Sequence, residues 1–136
     1  IIMDKLVPLN EHSDAGVKYF SGIASYKSSF SFSGSKTQSL VLDLGEVHEV
    51  AEVFLNGKSM GYVWHAPYQL DLGVGLVQGR NTLEVRVANL WVNRMIGDAQ
   101  AGAKPLTKTT LPTYEASGPL RRSGLIGPAR ILTRSN

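Results

Sequence analysis

The sequence predicts an all-β fold, and three observations lead to that prediction. Apolar and polar residues alternate over many short segments, Gly, Asn and Pro separate these segments about every ten residues, and no segment has the apolar spacing of an amphipathic helix. The 136 residues, 43% of them hydrophobic, are enough for one compact domain with its own core. We therefore expect an antiparallel jelly-roll β-sandwich of about eight strands.

The clearest strand patterns lie in the middle of the chain. Segments 40–44, 51–55 and 83–87 place Leu, Val or Ala at every second position, as half-buried strands do. After the second of these, Asn56 and Gly57 supply the two positive-φ residues that a type I′ hairpin turn requires. Shorter runs of the same kind predict further strands within 25–33, 67–72 and 124–133.

One long segment of the sequence has no regular pattern. Residues 93–123 contain three glycines and three prolines and show neither helical nor strand periodicity. Segments this long without regular structure are usually functional or ordered by a partner surface.

Residues 1–16 start without a methionine and lack the pattern of a signal peptide. We expect them to be a lead-in from an upstream domain, and residues 17–136 to form the sandwich.

Composition argues against several classes of partner and site. The net charge is +3 with a pI near 9.3, but the basic residues are scattered and only Arg121 and Arg122 are adjacent, so we expect no nucleic-acid partner. No apolar run approaches the roughly 18 residues of a membrane span, so we expect no membrane partner. The absence of cysteine excludes disulfides, thiolate metal sites and a cysteine nucleophile.

Catalytic groups are scarce in the pattern. Glycosidic hydrolysis needs two facing carboxylates, and Asp98 with Glu115 is the only plausible pair, because the other strand acids alternate with core residues. His12, His48 and His65 are far apart, with no carboxylate or histidine at ligand spacing. We expect no catalysis by this chain alone and no cofactor. A structural calcium site stays open, because loop oxygens can form one without a sequence signature.

One cluster of aromatic and polar residues follows two of the predicted strands. Sugars bind to aromatic rings and to a few converging planar polar groups, which makes the cluster a candidate carbohydrate site. It is equally a candidate interface with another part of a larger protein. In a third interpretation the tryptophans close the core, the asparagine caps backbone, and the arginine pairs with the aspartate. The residues are Trp64, His65, Tyr68, Trp91, Asn93, Arg94 and Asp98.

Three pieces of the chain, taken in order, resemble a known family: KYFSGIASYKSSFSF, then EVAEVFLNGKSMGYVWHAPYQLDL continuing through GRNTLEVRVANLWVNRMIGD, and finally SGLIGPARI. Together they resemble the galactose-binding-like β-sandwich domain of bacterial glycoside hydrolases. The nearer likeness is to the C-terminal sandwich of large α-L-rhamnosidase-type enzymes. The more distant one is to the sugar-binding domain of the β-galactosidase and β-glucuronidase class. The resemblance spans Val17 to Leu132.

The resemblance carries specific expectations. It implies a jelly roll and a secreted or periplasmic parent enzyme whose two catalytic carboxylates lie in a separate barrel domain. Asn56 and Gly57 match the family's hairpin turn, Pro67 and Tyr68 its next strand, and Trp91, Asn93, Arg94 and Asp98 its polar exit segment. Those last four residues would then be interface or substrate-rim residues rather than catalysts.

Our functional hypothesis is a non-catalytic accessory domain of a secreted bacterial glycoside hydrolase. Its partner would be the catalytic domain of the same polypeptide, with carbohydrate as a further contact. An autonomous carbohydrate-binding module and a protein-binding adhesive sandwich are the alternatives.

Overall fold

Most of the regular secondary structure consists of antiparallel strands. The computed structural model describes residues 1–34, 39–73 and 76–134. The described residues contain a 3-10 helix at Leu9–Glu11, helix α1 at Ala15–Lys18 and helix α2 at Val92–Asp98. Their strands are β1 Ile23–Phe32, β2 Ser39–Asp43, β3 Glu46–His48, β4 Val50–Leu55, β5 Lys58–Val63, β6 Gln69–Asp71, β7 Gly79–Ala88, β8 Gly124–Gly127 and β9 Arg130–Arg134.

The strands form two main layers and a small ribbon. One layer has the order β1-β7-β4-β5, the other has the order β6-β2-β9, and β3 pairs with β8. Every strand pair is antiparallel. The prediction of an all-β antiparallel sandwich is therefore confirmed.

The core lies between the two layers and follows the predicted alternation. In β4, the inward positions Ala51 and Val53 are fully buried, and Leu55 is almost so. Leu40 and Leu42 of β2 meet this face from the opposite layer. Alternating positions of a strand point to opposite faces of its sheet, so each layer contributes one apolar face to a shared core. The other buried members of the core are Leu44, Val47, Val63, Leu72, Leu76, Val85, Val87 and Leu125.

The Asn56-Gly57 hairpin is confirmed and does more than reverse the chain. Both residues have positive φ, 52° and 81°, as a type I′ turn requires. The Asn56 side chain accepts a hydrogen bond from the Thr82 amide at 2.9 Å and donates one to Asn81 Oδ1 at 2.9 Å. Asn81 is completely buried and also donates to the Val77 carbonyl at 2.8 Å. The turn is thereby tied to the start of β7.

The predicted irregular segment contains a helix that the sequence pattern did not reveal. Helix α2 includes residues 93–98, so the interpretation of that part as irregular is wrong. Its buried apolar residues are only Val92 and Ile96, and seven residues are too few for a helical period to stand out. Residues 99–123 form neither helix nor strand.

Part of the segment formed by the first sixteen residues packs on the sandwich. Leu9 is buried and its amide donates to the Ser123 carbonyl at 3.0 Å. Helix α1 crosses the boundary that we placed at residue 16. Assignment of residues 1–16 to an upstream domain therefore stays a prediction. Within the described residues, no helix has the length and apolarity needed to cross a bilayer.

Two valines of β4 allow a matched test of this core. Val53 is 0% exposed and Val50 is 39% exposed. We expect Val53→Ala to lower the free energy of unfolding by about 2 kcal/mol, because it removes two buried carbon atoms and leaves a cavity. Val50→Ala should change it by less than about 0.5 kcal/mol. Urea unfolding of the two variants measures both, and equal losses would contradict this position of the core.

Candidate functional site

The strand register brings the two tryptophans of the predicted cluster to one end of the sandwich. β4 pairs on one side with β5 and on the other with β7. At its start, Val50 lies opposite Ala88, the last residue of β7, and Ala51 lies opposite Val63, the last residue of β5. Both of those strands therefore end at the same end of the sheet, as the cluster requires.

The aromatic members of the cluster differ in exposure. Trp64 is 68% exposed and Trp91 is 63% exposed, so the idea that they close the core is wrong. His65 is also exposed and stands edge-on to Trp64, with ring centroids 4.7 Å apart. Tyr68 is half-buried and packs against the core. Two large rings and an imidazole thus face solvent at this end.

Asn93 is committed to the protein's own backbone. It is 2% exposed. Its Nδ2 donates to the Arg121 carbonyl at 2.6 Å, and its Oδ1 accepts from the Arg121 amide at 2.8 Å. This two-bond clamp joins α2 to the far end of the irregular segment. Because the amide nitrogen and the amide oxygen of Asn93 both bond to the backbone, its role is structural rather than ligand binding.

Arg94 and Asp98 form a second internal tie, one helical turn apart. Arg94 Nη2 lies 2.8 Å from Asp98 Oδ1, and only 16% and 9% of the two side chains are exposed. Asp98 Oδ2 accepts from the Thr107 amide at 2.8 Å and from its hydroxyl at 2.6 Å. The pairing of Arg94 with Asp98, which the third interpretation of the cluster included, is present. Through its bonds with Thr107, Asp98 also ties residues 99–123 to α2.

Several opposing effects set the pKa of Asp98. Burial raises it, while hydrogen bonds from Thr107 and from the Leu106 and Thr107 backbone, together with the charge of Arg94, lower it. The lowering effects prevail, so the pKa lies below the ordinary value of an aspartate. Asp98 is therefore a structural anion at neutral pH.

The surroundings of His48 differ from the expectation that no histidine has a carboxylate nearby. His48 Nε2 lies 2.8 Å from Glu46 Oε1, so this histidine does have a carboxylate neighbour. Arg122 Nε donates to the same oxygen at 2.8 Å. The hydrogen bond with His48 and the contact with Arg122 lower the pKa of Glu46. No set of three or more metal-ligating side chains comes together in the part of the chain that the structure describes.

The outer face of the four-stranded sheet has a row of apolar residues that the sequence analysis did not predict. Ile23 of β1 lies opposite Ala88 of β7, which lies opposite Val50 of β4. Trp64 continues the row past the end of β5. Ile23 is 66% exposed. We call these four residues the outer row. Each member of the row lies at or next to one end of its strand. The sequence shows these apolar residues one by one, but only the order of the strands in the sheet shows that they are neighbours.

Comparison with known proteins places this arrangement among glycoside hydrolases. Part of the rhamnosidase of Novosphingobium sp. PP1Y has a similar structure, with a TM-score of 0.92 and 54% identity over 95% of this chain and 12% of that one. A protein of Formosa agariphila described as "Putative beta-glucuronidase" is 39% identical over 94% of this chain and 13% of its own length.

A more distant likeness is to the beta-glucuronidase of an uncultured Clostridium sp. The TM-score is 0.52 and the identity 26%, over 60% of this chain and 15% of that one. No family model matches the sequence.

The chain matches one domain of these glycoside hydrolases. The resemblance inferred from the sequence pieces is therefore confirmed. The chain spans only 12% of the rhamnosidase and 13% of the Formosa protein. Most of the length of each similar protein thus lies outside the part that this chain matches.

The Arg94–Asp98 tie predicts a pH-dependent stability. We expect Asp98→Asn to lower the free energy of unfolding at pH 7 by an amount on the order of 1–3 kcal/mol, because Arg94 loses its buried partner. An unfolded aspartate has a pKa of about 3.9, and the folded value is lower. The stabilisation is thus present above that unfolded pKa and is lost as the pH falls through the folded value.

Urea unfolding at pH 7 and at pH 3 tests this expectation. The difference between wild type and Asp98→Asn should shrink at the lower pH. The control is Asp4→Asn, which removes an exposed carboxylate that has no hydrogen bond or ion pair among the described residues. A difference for Asp98→Asn that is the same at both pH values would show that the carboxylate charge does not stabilise this tie.

Proposed function

We propose that the chain is a non-catalytic accessory domain of a secreted bacterial glycoside hydrolase and that it braces the catalytic domain of the same polypeptide. The match to a small part of two longer proteins supports this proposal. The observation that carries it is the exposed apolar end of the sandwich, formed by the outer row together with Trp91.

The polar groups of the predicted cluster favour an interface over a sugar site. A carbohydrate pocket needs several free polar groups that converge beside its aromatic rings. Here Asn93 bonds the backbone of Arg121, and Arg94 and Asp98 pair with each other with only 16% and 9% of their side chains exposed, so these polar groups are mostly buried. The exposed residues include the two tryptophans and the apolar outer row, which are of the kind that anchors a protein interface.

The division of labour follows from the same observations. The aspartate best placed by sequence to act as an acid, Asp98, is held as an anion by Arg94 and Thr107. The two carboxylates that glycosidic hydrolysis requires are in this proposal supplied by a separate barrel domain. The accessory domain would contribute rigidity and, through Trp64 or Trp91, one edge of the substrate-binding region.

Substitution of the two tryptophans tests the bracing role. In the 136-residue chain, Trp64→Ala with Trp91→Ala should change the free energy of unfolding by less than about 0.5 kcal/mol, because both rings are already exposed. In the full polypeptide the same pair should lower thermal stability and glycosidase activity together, because buried aromatic anchors at interfaces contribute about 2 kcal/mol or more each.

The matched control is Val77→Ala, an exposed apolar residue near the start of β7, at the opposite end of that strand from Trp91. It should leave the full polypeptide unchanged. Equal effects of the control and of the tryptophan pair would remove the support for a specific interface.

A glycan array distinguishes the proposal from the carbohydrate-binding alternative. The 136-residue chain would be screened against oligosaccharides that include galactose and rhamnose, beside the double tryptophan variant. We expect no saturable binding. Saturable binding that disappears in the variant would instead identify a carbohydrate-binding module with its site at the tryptophans.

A further inference from the structure

A second surface, which neither tryptophan lines, is a groove between β1, β9 and the N-terminal segment. It has a volume of about 680 Å³ and is open on one side. Its walls come from the inner face of β1, from β9 and from the N-terminal segment, and it reaches core residues of both layers. Apolar side chains that line it include Leu6, Phe20, Tyr26, Phe30, Leu83 and Ile131.

Small residues on the inner face of β1 create part of this space. Tyr26 crosses the groove, and its hydroxyl oxygen accepts a hydrogen bond from the Leu125 amide at 3.1 Å. On either side of Tyr26 along that face are Ala24 and Ser28, which also line the groove. Because a methyl and a hydroxymethyl group fill little volume, the layers are left open at these two positions.

The backbone beside the groove is a free strand edge. β1 has ten residues and pairs on one side with β7. Within the described residues it has no second strand partner. The N-terminal segment lines the groove, yet no backbone hydrogen bond joins it to β1 in that same part of the chain. A long free edge is a template for pairing with another strand, and proteins usually cover or blunt it.

The rim of the groove is mainly basic. Lys5, Lys27 and Arg130 line it, against a single acidic residue, Asp4. Of the three cations, Lys27 has an ion pair with Glu84 at 3.9 Å, while Lys5 and Arg130 have none among the described residues. An occupant with carboxylates beside its apolar side chains would match this rim.

We propose that the groove receives an extended strand from a part of the polypeptide outside residues 1–136. The strand would pair with the free edge of β1, insert alternate apolar side chains beside Ala24 and Ser28, and direct carboxylates towards Lys5 and Arg130. Strand addition combines main-chain hydrogen bonds with pockets for alternate side chains, and the groove offers both. This inference rests on the proposed function, because it requires that the chain be one domain of a longer enzyme.

Hydrogen–deuterium exchange of β1 tests the proposal directly. The exchange of β1 amides would be compared between the 136-residue chain and the full polypeptide. We expect alternate amides of β1 to exchange at least about tenfold more slowly in the full polypeptide, because an added strand bonds every second residue of an edge. Equal rates would overturn the proposal. Slow exchange in the isolated chain that depends on its concentration would overturn it too, by identifying a second copy as the occupant.

Two serine variants locate the effect. In the full polypeptide, Ser28→Phe fills the groove and should restore fast exchange of β1, while Ser29→Phe, on the outer face, should leave the slow exchange unchanged. Ser28→Val serves the same purpose with less crowding if the larger ring impairs folding. Identical behaviour of the two positions would show that protection of β1 does not depend on the groove. Glycosidase activity is measured separately, so a full polypeptide without activity contradicts the proposed function alone.

Discussion

The pairing of β7 with two neighbours is the constraint on which the rest of this structure depends. This ten-residue strand has β1 on one edge and β4 on the other. Its inner residues Val85 and Val87 are buried in the core. Its start is held by the buried Asn81, and its end leads into Trp91 and α2. Position and register of β7 therefore determine where the hairpin, the outer row and the helix lie.

The irregular segment keeps its shape through polar ties rather than through a core of its own. Asn93 clamps the backbone of Arg121, and Asp98 holds both Arg94 and Thr107. Hydrogen bonds shielded from water are expensive to leave unmade, so each tie resists local opening. The short helix α2 thus acts as an anchor at both ends of a segment that has neither helix nor strand.

Strand positions were predictable from the sequence, because burial of one sheet face requires an apolar residue at every second position. The Asn56-Gly57 turn was predictable because few residue pairs tolerate its backbone. Helix α2 was not, because its buried residues are two apolar residues, an asparagine and a glycine. Gly97 packs so closely on Tyr19 that a Cβ at that position would lie 2.6 Å from the ring. Such a contact between distant parts of the chain leaves no local pattern.

The candidate site was only partly predictable, for a related reason. The sequence placed Trp64 and Trp91 in one candidate cluster, and the strand register does bring both residues to the same end of the sandwich. It did not indicate that Asn93 and Asp98 would bond to other residues of the same chain, because the partner of a side chain depends on the packing of distant segments. Nor did it show the groove between β1 and β9, which are edge strands of separate layers.

The distribution of satisfied and exposed groups connects the fold to its function. The core and the ties of α2 are formed from residues of this chain, and neither the outer row nor Trp91 belongs to them. Exposed apolar surface adds nothing to the stability of a free domain and promotes association. The simplest reason for a small domain to present an aromatic end and an open strand edge is that other protein covers both. The proposed bracing role fits this combination, because a well-packed interior would keep the domain rigid while the exposed apolar surfaces would provide the attachment.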